Sequence, residues 1–436
     1  MKGFMMNADF HDIGFMGPRF TWCNNKEGNS RIWERLDRCL ANSIAIQKIP
    51  VAVTRHLMRL ASDHCPIVLK MDEKVQFKSK NIRFEDTWRS YPASKSIVFH
   101  SWNKKDSGDE TVILQKKLSR TLKALFFWNK NKCRDLNSLK DKLKQEILDL
   151  QNKEALGVNW SGDDLVALRS KVHELNVTLK RLSTWWNQRA KVRWHEEGDT
   201  NSNLFHCYAT TKRKGNRINQ IRDELNNVYD EDEQIERVFT IFFGKKWKYR
   251  DYIISDWPAV FDSQKISEDD ITFLNVEFSV LELQNSVFQQ GNNKSPGLDG
   301  VTYSFYKSYW SIVGETLWKA VNSFFNSYYM HKEWKKTLIV LIPKIKSPLT
   351  PSNYRPISLC QTNYKIMATM LVNRLKKIIS KLILEEQVAF VHGSMSWTSL
   401  WYVLDWYGFP IAFSKLLMEC VVDVSFSIII NGKNSS

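Results

Sequence analysis

The sequence predicts an α+β chain built from several parts, and three observations carry that prediction. The first 75 residues hold short strand-like runs between turn signals. Leu165, Leu168, Val172, Leu175, Leu179, Leu182 and Trp186 follow a strict 3-4 spacing, which places all seven on one stripe of a helix. From Asn292 onward, Gly and Pro punctuate short apolar runs and amphipathic helices.

Taken in order, Phe20-Thr21-Trp22 reads as a strand, Asn24 to Ser30 as a polar turn, and Arg31 to Asp37 as a second strand by its alternation. Pro66 to Leu69 is a further β run, and Lys70 to Ser107, with Pro92 and scattered charges and aromatics, reads as a connector that packs partly. Helical patterning runs from about Glu110 to Arg193. Leu136, Leu143 and Leu150 repeat every seven residues with Leu139 and Ile147 beside them, and Gly157 to Asp164 separates them from the second stripe. A long antiparallel hairpin follows, with Ser161 or Asp163 as the helix cap. The stripe reads as a core or coiled-coil seam with no chemistry of its own. Ser267-Glu268-Asp269-Asp270 is a helix start. Lys294 to Gly300 is a tight polar loop ahead of an aromatic helix, Thr337 to Pro343 a buried strand, Asn353 to Leu359 a second strand, Tyr364 to Leu384 a helix, and Val421 to Asn431 strand-like.

Composition bounds the function. The 436 residues carry 63 Lys and Arg against 47 Asp and Glu, a net charge of +16 that favours anionic partners, nucleic acid first. A chain that is 43% hydrophobic and 13% aromatic is not wholly disordered. Seven cysteines without a CxxC exclude a disulfide framework or zinc ribbon, and His195, His206 and Cys207 form no second half-site for zinc. No apolar run reaches the roughly 18 residues of a membrane span, and MKGFMMNADF lacks a signal h-region. The expectation is a soluble intracellular protein of nucleus or cytoplasm with no membrane partner.

Trp185 to Arg222 is the most basic and aromatic stretch. Arg189, Arg193, Lys212 and Arg213 are its leading cations, interleaved with Trp185, Trp186, Trp194, Phe205 and Tyr208. Cations neutralise phosphates and aromatic faces stack on unpaired bases, so the stretch is a candidate RNA- and DNA-binding surface; a solvated basic loop is the alternative.

Two constellations carry chemistry. Arg35-Leu36-Asp37 is followed by Ser62-Asp63-His64-Cys65-Pro66-Ile67. A carboxylate beside an imidazole can hold a metal while the imidazole moves a proton, and a second carboxylate can fix the ring tautomer. The pair of motifs resembles the C-terminal end of the endonuclease/exonuclease/phosphatase family. That resemblance implies His64 as catalytic imidazole, Asp37 as its orienting partner and Asp63 as a metal-proximal carboxylate in an incomplete Mg²⁺ site.

The second constellation is SPGLDGVTYSFYKSYW, TLIVLIPKIKSPLTPSNYRPISLCQTNYKIMATMLVNRL and QVAFVHG. It resembles the reverse transcriptase fingers of LINE-type non-LTR retrotransposons, and WWNQRAKVRWHEEGDTNSNLFHCYAT is similar to the connector those elements place between endonuclease and polymerase, in its plant form. The resemblance implies contact of Lys344 and Arg355 with the incoming triphosphate and template, Gln387 and Phe390 in the substrate-proximal loop, and Mg²⁺ as cofactor. It divides the chain into an endonuclease end (1–75), a linker (76–107), a helical hairpin (108–196), a basic then acidic connector (197–285), fingers (286–393) and a palm fragment (394–436).

The same resemblance locates departures. The family's early Asn and Glu metal ligands have no counterpart here, and Gly408-Phe409-Pro410 and Cys420 to Ser427 follow Gly393 directly, as across a deletion that removes the first palm Asp. The chain ends before the paired palm aspartates, and Tyr229-Asp230-Glu231-Asp232 reads as a loop charge cluster. The expectation is a remnant: the C-terminal part of an endonuclease α/β sandwich, a helical hairpin and partial fingers and palm, with neither catalytic activity, since both need complete metal-binding carboxylates. Two other readings stand beside it: a non-catalytic RNA/DNA-binding protein, and a structural protein that self-associates through the hairpin. A group II intron-like enzyme would leave the RLD and SDHCPI pair unexplained.

Overall fold

The computed structural model describes residues 5, 8–49, 52–60, 62–71, 82–130, 132–157, 160–190, 216–248, 265–292, 294–345, 348–382 and 397–435. Helices and strands are mixed throughout, an α+β architecture. Among the described residues no helix is long and apolar enough to cross a membrane.

The N-terminal part is a set of short strands. Phe10–Asp12 pairs antiparallel with Leu40–Asn42. Phe15–Met16 runs parallel to Val53–His56, which pairs antiparallel with Ile67–Lys70. Trp22–Cys23 pairs with Trp33–Glu34, and only those two residues of the 31–37 run are strand. The run ends early because the backbone N–H groups of Leu36 and Asp37 donate to the Thr21 hydroxyl (3.1 and 3.0 Å) in place of a ladder partner.

The helical hairpin forms as its periodicity predicts, from Lys132–Leu156 and Gly162–Ala190. Ser161 is the cap: its hydroxyl accepts from Asp164 N, and the Asp164 carboxylate accepts from Ser161 N. Lys153 to Asp164 (2.8 Å) and Lys171 to Glu146 (2.8 Å) tie the helices across. Leu136, Leu143, Ile147 and Leu182 are buried, whereas Val172 of the stripe is exposed.

The largest core joins segments far apart in sequence. Phe84, Trp88, Val98 and Trp102 enter it with Leu114, Leu118, Leu122 and Leu125, against Phe305, Tyr306, Leu317, Phe324, Met367, Leu371 and Phe413. Much of the stretch that reads as a connector is therefore a 3-10 turn, Asp86–Ser90, and a helix, Pro92–Trp102, that supply aromatic core. Its scattered aromatics show no local period because their partners come from the 303–327 and 362–382 regions.

Loop 294–300 holds these segments together at backbone distance. Phe84 N donates to Gly300 O (2.8 Å), and a Cβ on Gly300 (φ +67°) would stand 1.9 Å from Ile82 O. A Cβ on Gly297 would meet the Cys360–Gln361 backbone at 2.7 Å. Asp299 accepts from Thr362 N (2.6 Å), the first residue of the Thr362–Leu382 helix, which starts two residues earlier than its apolar pattern predicts. Burial pushes the Asp299 carboxyl up to about 6, against the pull of Thr362 N and Lys365.

Deeper along that helix, Arg374 is 3% exposed and all five of its N–H donors are used. Nε and Nη2 reach the Glu282 carboxylate (2.8 and 3.0 Å), while Nη1 and Nη2 reach the carbonyls of Leu274, Val276 and Glu277. The guanidinium lies 3.6 Å from the Phe278 ring centroid, and Phe278 stacks on Phe325 at 3.8 Å. Glu282 also closes the capping box of the Val280–Phe288 helix with Ser279.

A second core lies on one face of a four-stranded sheet. Lys336–Pro343 pairs antiparallel with Tyr354–Leu359 and parallel with Ser425–Ile430, which turns through Asn431-Gly432 into Lys433–Asn434. The strand-like 421–431 stretch thus splits, since Val421 ends the helix Ile411–Val421. Ile339, Leu341, Tyr354, Ile428 and Ile430 pack against Ile218, Ile221 and, from the Asp232–Lys246 helix, Ile235, Phe239 and Phe243. Asn431 fastens the two layers: its Oδ1 accepts from Ile218 N (2.9 Å), and its Nδ2 donates to Ile218 O (2.8 Å) and Asp232 Oδ1 (2.7 Å).

Two substitutions test the packing. Gly300→Ala should lower the unfolding free energy by more than about 2 kcal/mol in urea, whereas Gly291→Ala, with open space around it, should stay within about 0.5 kcal/mol; equal stability of the two would refute the close approach. Arg374→Lys keeps the charge but loses the planar fork and the ring stack, and should cost about 2–4 kcal/mol by the same measurement.

Candidate functional site

Thr21 to Cys23 forms the spine of the N-terminal site. On one side Trp22–Cys23 pairs with Trp33–Glu34; on the other, Cys23 N donates to Asp63 O (3.0 Å), Cys65 N donates to Thr21 O (2.7 Å), and Trp22 bridges to His64. The Thr21 hydroxyl, buried, fixes the backbone at Asp37 from below. These constraints bring Asp37 Oδ2 to 2.9 Å from His64 Nδ1, although 27 residues separate them in sequence. Both side chains are partly exposed. Arg35, next in line, is bound to Asp12 by two bonds (2.7 and 2.9 Å) and lies over the Phe15 ring, which keeps the Arg35-Leu36-Asp37 turn in place.

Electrostatics follow the geometry. Partial burial pushes the Asp37 carboxyl upward, but the His64 and Thr21 hydrogen bonds outweigh it and hold the group below the usual carboxylate range. The Asp37 bond raises His64 above the usual imidazole range, against a smaller opposing effect of burial. The pair is thus doubly charged at mildly acidic pH. Its stabilisation is complete below the ordinary histidine pKa and fades as pH rises through the raised His64 value; at the acid end it is lost as pH falls through the lowered Asp37 value.

Asp63 sits beside the pair and not in it. Its Oδ2 accepts from the Trp22 indole N–H (3.0 Å), the main cause of a lowered carboxyl pKa. Thr21 and Trp22 are thus site residues that motif reading passes over; the one signal for them is the strand reading of Phe20-Thr21-Trp22, which does not say what the strand pairs with. Asp37 is committed to His64, and the two Asp63 oxygens accept from the Trp22 indole and the Ser62 hydroxyl (3.3 Å). Among the described residues no group of three His, Cys, Asp or Glu could hold a metal ion.

In the C-terminal half, Ile342 stands opposite Arg355 in the antiparallel register, and Lys344 N donates to Asn353 O (2.8 Å) just beyond the last pair. Opposed residues share a face, so Arg355 and Ile342 lie on the side away from buried Ile339, Leu341 and Tyr354, and alternation brings Lys344 to that side as well. Both cations are exposed, with Lys344 Nζ donating to Ser352 O (2.8 Å).

Arg189, an expected nucleic-acid contact, is exposed near the end of the second hairpin helix. Its guanidinium is 2.6 Å from the Glu85 carboxylate of the neighbouring segment and 3.4 Å from the ring centroid of Trp185, one turn earlier on the same helix. Arg193, Lys212, Arg213, Gln387 and Phe390, and with them His195, His206 and Cys207, lie outside the described residues.

No family model matches the chain. Over 270 residues, 60% of its length, it is 26% identical to the transposon TX1 uncharacterized 149 kDa protein of Xenopus laevis. Over 115 residues, 26% of its length, it is 27% identical to the retrovirus-related Pol polyprotein from type-1 retrotransposable element R1 of Bradysia coprophila. A 115 kDa protein in type-1 retrotransposable element R1DM of Drosophila melanogaster is 29% identical over 102 residues, 23% of the chain. The aligned parts cover 20%, 12% and 10% of these relatives, so the chain spans about a fifth of their length or less.

The His64 titration reads the site directly. In Asp37→Asn the His64 midpoint, followed by NMR of the imidazole protons, should move down toward the ordinary histidine value; in Trp22→Phe it should stay close to the parent while the Asp63 midpoint rises. An unchanged His64 midpoint in Asp37→Asn would refute the pair.

Proposed function

We propose that the chain is a segment of a LINE-type non-LTR retrotransposon polyprotein, of the plant type, in which an endonuclease/exonuclease/phosphatase-type nuclease and an RNA-directed DNA polymerase share one chain. Its family role is target-primed reverse transcription: nicking DNA and copying RNA from the nick. By itself the segment binds RNA and DNA without cutting or copying them.

The observation that carries this reading is the order of parts. The Asp37–His64 pair, the helical hairpin, the 294–300 loop and the paired LIPK and NYRPI strands follow one another in a single chain similar to proteins of retrotransposable elements. Lys344 and Arg355 on the open side of the sheet suit phosphate contact by fixed cations, and a net charge of +16 suits a polyanion.

Binding of a single-stranded RNA oligonucleotide, measured by fluorescence anisotropy at 50 to 300 mM salt, should weaken with a log–log slope of about −0.7 for each phosphate neutralised. Replacing Lys344 and Arg355 together by Ala should make that slope shallower. Incubation with primed RNA template, nucleotides and Mg²⁺ should yield neither extension nor nicking. Template-directed extension would overturn the inactivity, and salt-independent or absent RNA binding would overturn the reading as a binding segment.

A further inference from the structure

The hairpin meets the helical core at the end of its second helix, and the chemistry there is specific. Gln188 Nε2 donates to Phe84 O (2.7 Å) while Gln188 Oε1 accepts from Asp86 N (3.0 Å), so one carboxamide satisfies two backbone groups as a strand neighbour would. Arg189 takes the residue between them, pairing with Glu85 at 2.6 Å while stacked on Trp185. Two turns earlier, Arg181 lies 3.9 Å from the Tyr91 ring centroid and donates to the Ser90 hydroxyl (3.2 Å) and carbonyl (3.3 Å).

The gripped segment is itself anchored. Phe84 and Trp88 are buried in the helical core, and Phe84 N is bonded to Gly300 O. Beyond this contact the second helix runs on to Gly162, about 30 Å at 1.5 Å per residue, with the Lys132–Leu156 helix beside it. A small rotation at the base becomes a large displacement at the far end of the hairpin.

We propose that residues 181–189 form a clasp on the 84–91 segment that sets the direction of the hairpin relative to the core, with Gln188 and Arg189 as positioning residues. Arg189 is consumed in the clasp and is not a nucleic-acid contact. The inference does not depend on the polyprotein reading, because the contacts are internal to the chain.

The test is hydrogen exchange on the full chain, with RNA affinity as a second readout. In Gln188→Leu the amide of Asp86 should exchange at least about tenfold faster while amides within the Thr362–Leu382 helix keep their protection. Small-angle scattering should show a changed maximum dimension. Arg189→Ala should also speed exchange at 84–91 and leave RNA affinity at matched salt unchanged. Arg189→Lys and Gln188→Glu, which keep part of the bonding, should fall between and serve if the harsher variants do not fold. Unchanged Asp86 exchange in Gln188→Leu or Gln188→Glu overturns the clasp; reduced RNA affinity in Arg189→Ala with unchanged exchange restores Arg189 to the nucleic-acid surface.

Discussion

Backbone laid against backbone at loop 294–300 is the contact on which the helical half of this protein depends. Gly297 and Gly300 leave no space for a Cβ, so the loop can approach the 82–84 and 360–362 segments more closely than any side-chain packing allows. Three consequences follow from that one approach. The 84–102 aromatics are drawn into a core with the 303–327 helices, the Thr362–Leu382 helix receives its first-turn acceptor in Asp299, and the hairpin gains a fixed segment to grip. Arg374 closes the same assembly from the other end by meeting the carbonyls of Leu274, Val276 and Glu277 and the carboxylate of Glu282.

The N-terminal site obeys a similar logic on a smaller scale. A lone Asp-His dipeptide means little, yet strand neighbours on both sides of Thr21–Cys23 bring His64 and Asp37 into one charged pair of fixed geometry. The same neighbours use up one Asp63 oxygen on the Trp22 indole. The arrangement can hold and move a proton between an imidazole and a carboxylate.

Much of the fold was legible in the sequence wherever the signal was local. The seven-residue leucine repeat and the 3-4 stripe specified the two hairpin helices, Ser267 announced its helix, and the apolar run before Pro343 announced its strand. The Asp37–His64 pairing was legible only through resemblance, because no spacing rule joins residues 27 apart. Thr21 and Trp22 stayed hidden because their roles are cross-strand contacts, and the connector's core role stayed hidden because its aromatics have no period along the chain.

The sequence by itself determined the periodic elements, the caps, the cationic balance and the motifs that carry the resemblance, since each depends on residues within a turn or two of one another. Tertiary structure decided what those residues touch. It set Ser425–Ile430 beside Lys336–Pro343, paired Arg189 with Glu85, and placed Lys344 and Arg355 on one side of the sheet. The physical reason is that a charged or apolar side chain has a local preference but no fixed partner. Which partner it takes is settled by which distant surfaces must be buried together, and by whether a glycine lets them come close enough.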